Sequence, residues 1–386
     1  MIDLSKDQTD AISTIMDWWV SRKSKLFSIG GFAGTGKTTL ISVLRNLLPT
    51  LRIAFVAFTG KAASVLGSKL KNHGVMIYGG RDFVGTIHSL IYRPIEENDE
   101  LTWELKKDSE VNFDLIIVDE ASMINEELFR DLSSFRIPIL AVGDHGQLPP
   151  ISGQLNLVEK PDFKLEKIHR QAEGNPIIHV SRLAREEGFV PYQKFSDKVM
   201  KLRFNKDKIR EFVSGANEDF TDTAILCGFN RTRVNFNDSI RSVIHGKNKF
   251  GGPIPGDRVI CLKNNRLAKN CAIFNGMQGT VKKVYDFLHR HRMTITMDGE
   301  ENNYVGSVAI STFGNEKPDF NENKFNKTDQ FDFGYALTVH KAQGSSWKRV
   351  LVIEQPCMAW SGLNWNKWLY TAVTRAEQEL IIMRGD

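Results

Sequence analysis

Apolar positions in this chain gather into short unbroken runs separated by polar, helix-periodic stretches. Residues 26–29 (LFSI), 53–58 (IAFVAF), 115–118 (LIIV) and 137–142 (IPILAV) are runs of this kind bounded by turn or charged residues. That is the pattern of parallel strands covered on both faces, and it predicts a doubly wound α/β domain. The pattern returns at 224–226 (AIL), 349–353 (RVLVI) and 380–383 (LIIM), predicting a second α/β unit over roughly 170–386. Residues 256–311 differ: GDRVICL, NGMQGTVKKV, RMTITM and NNYVGSVAI are short β runs between glycine or asparagine turns, the signature of a small β-barrel. Residues 315–332, rich in Asn, Asp, Lys and Phe, read as a connection without an element of its own. Leu101, Trp103 and Leu105 alternate with Thr102, Glu104 and Lys106 behind a polar turn at 96–99, so a β-hairpin is predicted to project there. The expected division is a first domain at 1–165 with the hairpin at about 91–111, a second at 166–255 plus 333–386, and the barrel inserted at 256–332.

Chemistry enters at residues 31–38, GFAGTGKT, set between an apolar run and a helix-like stretch. Gly31, Ala33, Gly34, Thr35 and Gly36 suit a loop whose backbone N–H groups cradle phosphate, with Lys37 reaching the β- and γ-phosphates. Thr38 and Thr39 open the helix, and the Thr38 hydroxyl suits Mg²⁺. The run LIIVDEAS puts Asp119 and Glu120 at the C-terminal end of a buried strand, where parallel sheets bind ligands. Asp119 is placed to hold Mg²⁺ through water, and Glu120 to orient and deprotonate the attacking water. Asp144 and Gln147 in VGDHGQLPP follow the next strand. ATP and Mg²⁺ are therefore the expected ligands.

Composition narrows the class further. A chain of 386 residues should form two or three domains, and its net charge of +5 favours a polyanionic partner. Cys227, Cys261, Cys271 and Cys357 are too dispersed for a metal pair and too few for a disulfide framework, so all four are expected reduced and buried. The start MIDLSKDQTD has no basic-then-apolar leader, and no apolar run approaches the ~18 residues of a membrane span. A soluble, cytoplasmic protein is expected.

A phosphate loop alone fits kinases, GTPases, transporters and motors; the order of the remaining motifs separates them. Gln8 in LSKDQTDAI, the phosphate loop, AFTGKAA (57–63), TIHSL (86–90), DEAS, GDHGQLPP, IHRQ (168–171), YALTVHKAQGSSW (335–347) and LYTAVTRA (369–376) form a series over nearly the whole chain. The series resembles superfamily 1 helicases of the 5′-to-3′ subgroup, RecD-like and phage Dda-like. The resemblance implies two RecA-like domains closing on ATP, with an SH3-like barrel inserted in the second. It implies that Gln8 contacts adenine, Gln147 senses the γ-phosphate and Gly344 lies against the nucleotide. Arg170 and Arg375 become arginine fingers that supply charge where the transition state spreads it. IHRQ departs from the aromatic-Arg-Gln form of the family by placing His169 before the arginine.

The same resemblance assigns backbone contacts with DNA to Thr59, Lys61, Thr86, His88, Thr338, His340 and Lys341, hydroxyl and cationic groups suited to phosphate oxygens. Dda-like helicases carry a projection where LTWEL falls, so Trp103 is a candidate wedge at the duplex junction, with packing against the domain as the alternative. Two basic stretches read either as DNA footprints or as solvated faces: 194–210, with seven Lys or Arg against two Asp, and 258–292, with eight against Asp286 alone. The implied function is ATP-driven translocation along single-stranded DNA, 5′ to 3′, separating the duplex ahead. The implied partners are single-stranded DNA and duplex junctions, with single-strand-binding or replication proteins as protein partners, no membrane, and a monomeric state. Two other classes keep every ATP residue: an RNA-directed translocase, and a DNA-stimulated ATPase that remodels or loads proteins without unwinding.

Overall fold

A computed structural model of the chain describes residues 4–384 apart from 98–99, 150–154, 168–173, 217–219, 247–250, 264, 266–270, 272, 288–289, 301, 319–327 and 357–361. It divides into two compact units, Met1–His179 and Val180–Asp386.

In the first unit α1 (Lys6–Ser21) is followed by β1 (Leu26–Gly31), α2 (Lys37–Leu47), β2 (Ile53–Ala57), α3 (Gly60–Asn72), β3 (Phe83–Thr86) and α4 (Ile87–Ile91). A hairpin of β4 (Tyr92–Glu97) and β5 (Glu100–Leu105) comes next, then β6 (Leu115–Asp119), α5 (Glu126–Ser134), β7 (Ile139–Gly143) and β8 (Phe163–Leu165). The six-stranded sheet has the order β3-β2-β6-β7-β1-β8, and every pairing in it is parallel. Alternation explains the unbroken apolar runs. Leu115 and Ile117 of β6 pack with Ile15, Leu40, Leu44 and Leu66 of α1, α2 and α3, whereas Ile116 and Val118 pack on the other face with Leu90, Leu128 and Leu132 of α4 and α5.

The second unit contains α6 (Pro176–Glu186, which begins in the first), β9 (Val199–Arg203), α7 (Lys206–Ser214), β10 (Thr223–Cys227) and α8 (Asn230–His245). Then come β11 (Arg258–Cys261), β12 (Gln278–Phe287), β13 (Arg290–Met297), β14 (Tyr304–Ala309), β15 (Phe331–Phe333), β16 (Ala336–Thr338), β17 (Trp347–Glu354), α9 (Leu363–Val373) and β18 (Ala376–Arg384). A parallel sheet runs β16-β10-β17-β18-β9, and a separate antiparallel one runs β14-β13-β12-β11-β15. Backbone bonds of Asp329 with Ser307 and Ala309 join β14 to the segment just before β15. The segment 315–332, read as a bare connection, thus ends in strand β15, which pairs Phe331 with Cys261. The mixed α/β fold with two parallel sheets is as the sequence predicts.

The basic stretch 194–210 is partly interior. Lys201 on β9 is 1% exposed and pairs with the buried Glu354 at 2.5 Å, between the rings of Phe189 and Tyr192. Arg258 of the second stretch is likewise buried and paired with Asp298. Cys227, Cys261 and Cys271 are buried; Cys357 lies outside the described residues. Among the described residues no helix is long and apolar enough to cross a membrane.

Candidate active site

Strand register brings three loops side by side at one edge of the first sheet. Gly30 of β1 is level with Gly143 of β7, and Ala57 of β2 with Asp119 of β6. The loops that follow β1, β6 and β7 therefore leave the C-terminal edge together, the usual ligand edge of a parallel sheet. The loop after β1 turns through left-handed glycines, Gly34 at φ 83° and Gly36 at φ 77°, and Gly36 is the N-cap of α2 without a side-chain cap. The opening amides of this helix are thus left for an anion, which the helix dipole favours. A side chain at Gly31 would place Cβ 2.6 Å from Thr35 Oγ1, which donates to the Phe32 carbonyl at 2.8 Å. Lys37 Nζ donates to the carbonyls of Gly31 (2.8 Å) and Phe32 (3.1 Å), folding the ammonium over its own loop.

Gln8 is fully buried behind this loop. Its Oε1 accepts from Ser5 N, completing the capping box of α1, and its Nε2 donates to the carbonyls of Thr35 and Gly36 at 3.4 Å each. In this position Gln8 ties α1 to the phosphate loop. Ala33, Thr38 and Thr39 line the loop half-buried.

Asp119 ends β6, and its Oδ1 accepts from Glu120 N at 3.0 Å. Burial, followed by the neighbouring Glu120 charge, raises the Asp119 pKa to about 6 against the opposing charge of Lys37. Glu120 stands in the left-handed region (φ 53°, ψ 40°), rare for a residue with a side chain, and its Oε2 is buried without a hydrogen-bond partner among the described residues. On the loop after β7, Asp144 accepts from Gly146 N and from Gln147 Nε2, while Gln147 Oε1 is likewise buried and unpartnered among the described residues. The His145 ring meets Phe32 at a tilt of 45° with centroids 4.2 Å apart, packing this loop against the phosphate loop. Among the described residues no three His, Cys, Asp or Glu side chains form a metal cage.

The threonines expected to touch DNA also have local work. Thr59 caps α3 by accepting from Ala62 N, and Thr86 caps α4 through a capping box with Ser89. His88 lies between Phe58 and Tyr92, 5.9 Å from each ring. In the second unit Thr338 ends β16, and burial lowers the pKa of His340 and of Lys341. Gly344 follows in the left-handed region at φ 69°. Arg375 is 4% exposed, and its guanidinium donates to the carbonyls of Thr371 and Ser345 and to Thr374 Oγ1. Arg170 with the rest of IHRQ, and the side chains of Lys61 and Trp103, lie outside the described residues. The backbone of Trp103 is opposite Pro94 in the hairpin.

The sequence matches an AAA domain over residues 18–153 and a UvrD-like helicase C-terminal domain over 333–383. The ATP-dependent RecD2 DNA helicase of Deinococcus radiodurans is 30% identical over 380 residues, covering 91% of this chain and 46% of that protein. The ATP-dependent DNA helicase dda of Enterobacteria phage T4 is 26% identical over 447 residues and covers 98% of both chains. The chain is thus similar over nearly its whole length to RecD-like and Dda-like DNA helicases. It spans about half the length of the Deinococcus relative and less of several others. The fold also matches the crystal structure of a Bacteroides Pif1 helicase in complex with ADP-AlF3 and ssDNA, at 18% identity and TM-score 0.52, over 99% of this chain and 92% of that one.

The motif series left some functional candidates unread. Ser122 Oγ, just past Glu120, is buried without a hydrogen-bond partner among the described residues; the only sequence signal was a hydroxyl inside DEAS. The outer face of the antiparallel sheet carries the exposed Tyr285 opposite the exposed Arg292, with the exposed Lys283 two residues away. Alternation along β12 predicts such a face, but only the strand register brings the tyrosine and arginine together.

Proposed function

We propose that this chain is an ATP-driven motor that moves along single-stranded DNA, 5′ to 3′, and separates the duplex ahead of it. The observation that carries the reading is Glu120: a strained backbone and a buried carboxylate oxygen without a partner among the described residues, at the edge where the phosphate loop opens. Such a group suits a base that accepts a proton from a bound water. In this reading the amides after Gly34 and Gly36 hold the phosphates, and Lys37 exchanges its loop carbonyls for the β- and γ-phosphate oxygens. Thr38 and Asp119 are the oxygens that would hold Mg²⁺, whose charge offsets that of the phosphates. Gln147 orients the γ-phosphate or the water, and Arg170 and Arg375 supply positive charge during transfer. Gln8 contacts adenine by giving up part of its hold on the loop, which would couple nucleotide arrival to loop shape.

Thr59, Lys61, Thr86, His88, Thr338, His340 and Lys341 grip the DNA backbone, the hairpin meets the junction through Trp103, and the antiparallel sheet is an SH3-like insertion. The relatives named as DNA helicases support a DNA substrate. Strand displacement from matched DNA and RNA partial duplexes, with Lys37→Ala as the control, tests the reading. ATP-dependent opening of DNA supports it. Opening of RNA alone would make the chain an RNA translocase, and DNA-stimulated hydrolysis with no opening would make it a remodeller or loader.

A further inference from the structure

Helix α4 has five residues, too few to hold its shape unaided; Thr86 is its N-cap, His88 lies within it, and it runs directly into the hairpin. Of the carbonyls at its C-terminal end, that of His88 accepts from Tyr92 N. The other three all go to one residue. Lys106 Nζ donates to the carbonyls of Ser89 and Leu90 at 2.9 Å each, and Lys106 N donates to that of Ile91 at 2.8 Å. An ammonium here also meets the negative end of the helix dipole. Lys106 directly follows β5, so the returning hairpin strand is what caps the helix.

The other root of the hairpin is anchored as well. Tyr92, first in β4, donates from its hydroxyl to Asp131 of α5 at 2.5 Å, and its ring lies beside His88, which lies beside Phe58. Arg93 pairs with Glu104 across the stem and with Glu110 beyond it, but these ions are part-exposed and contribute little. The Lys106 amine is half-buried, and its surroundings lower its pKa.

We propose that Lys106 is a positioning residue that locks the β4–β5 hairpin to α4, so that the hairpin moves as one piece with the helix that Thr86 caps and that carries His88. This rests on the reading above in which the hairpin meets the duplex junction. Without the lock, ATP-driven steps on the strand would still occur, but the hairpin would yield when pressed on the junction.

The test compares Lys106→Met, which keeps the aliphatic chain and loses the donor, with Lys106→Arg, which keeps a cation. Single-strand affinity, DNA-stimulated ATPase, melting temperature and single-turnover opening of a forked DNA duplex are measured on the full chain. Lys106→Met should hold ATPase near wild type while opening slows by about tenfold or more, the scale of one lost charged hydrogen bond. More ATP is then spent per base pair opened, a ratio that a merely structural defect does not move, and Lys106→Arg should recover most of the rate. Unchanged opening, a parallel fall of ATPase and opening, or a loss that arginine does not recover would each overturn the lock. Trp103→Ala run alongside separates the two ideas. If it lowers opening and Lys106→Met does not, the junction reading stands and the lock falls. If Lys106→Met lowers opening and Trp103→Ala does not, the lock stands and the junction contact moves off Trp103.

Discussion

Glu120 bears two local costs, and substitutions there separate them from its chemistry. Its left-handed backbone costs about 1–2 kcal/mol for any residue with a side chain. Its buried, unpartnered Oε2 adds about 1–3 kcal/mol. Glycine removes both, less about 0.5–1 kcal/mol for the freedom it adds to the unfolded chain, whereas alanine removes only the second. Glu120→Gly should therefore be more stable than Glu120→Ala by about 0.5–1 kcal/mol, or about 1–4 °C in Tm for a unit of this size. Both should melt above the wild type in thermal scans of the nucleotide-free chain. Glu120→Gln keeps the shape and removes the base, so DNA-stimulated turnover should fall about 10²- to 10⁴-fold with ATP and DNA still bound. A glycine variant melting no higher than the alanine variant would refute the strain argument. Retained hydrolysis in Glu120→Gln would refute the assignment of the base.

Lys37→Ala should abolish turnover by removing productive phosphate binding, as read in steady-state ATPase. Arg170→Ala and Arg375→Ala should each lower kcat by about 10³-fold with smaller effects on ATP affinity; unchanged kcat per folded molecule would leave Arg375 as a brace for the carbonyls of Thr371 and Ser345. Burial and the neighbouring Glu120 charge raise the Asp119 pKa, so at mildly acid pH part of the free chains carry its proton, which a bound cation must expel. Mg²⁺–nucleotide binding should thus release more protons at pH 6 than at pH 8 by calorimetry in buffers of different ionisation enthalpy, and Asp119→Asn should lose that excess. The same shift means that ionising Asp119 costs stability, so its contribution is full below about pH 4 and lost as pH rises through 6. Affinity for single-stranded DNA should fall with salt at a log–log slope of about −0.7 per phosphate neutralised, with little base preference; a flat response would exclude backbone tracking.

The fold was legible where strands are buried on both faces. β2, β6 and β7 announce themselves as apolar runs because α1 to α3 cover one side of the sheet and α4 and α5 the other. β8, with Lys164 at its centre, and β16, hidden within YALTVH, were not, because three residues cannot establish a period. β9 was read as part of a basic stretch, since nothing local reveals that Lys201 meets Glu354 two strands away in the sheet. At the site, the loops could be read from glycine spacing and from carboxylates at a strand end. The capping by Thr59 and Thr86, the bracing by Gln8 and the cap that Lys106 gives α4 depend on tertiary neighbours that no spacing specifies.

The central claim is best tested by single-turnover strand displacement on two DNA partial duplexes of equal sequence, one with a 5′ single-stranded tail and one with a 3′ tail. The account predicts ATP-dependent opening of the 5′-tailed substrate, little of the 3′-tailed one, and none of either by Lys37→Ala. Opening of the 3′-tailed substrate alone, or brisk DNA-stimulated hydrolysis that opens neither, would contradict it.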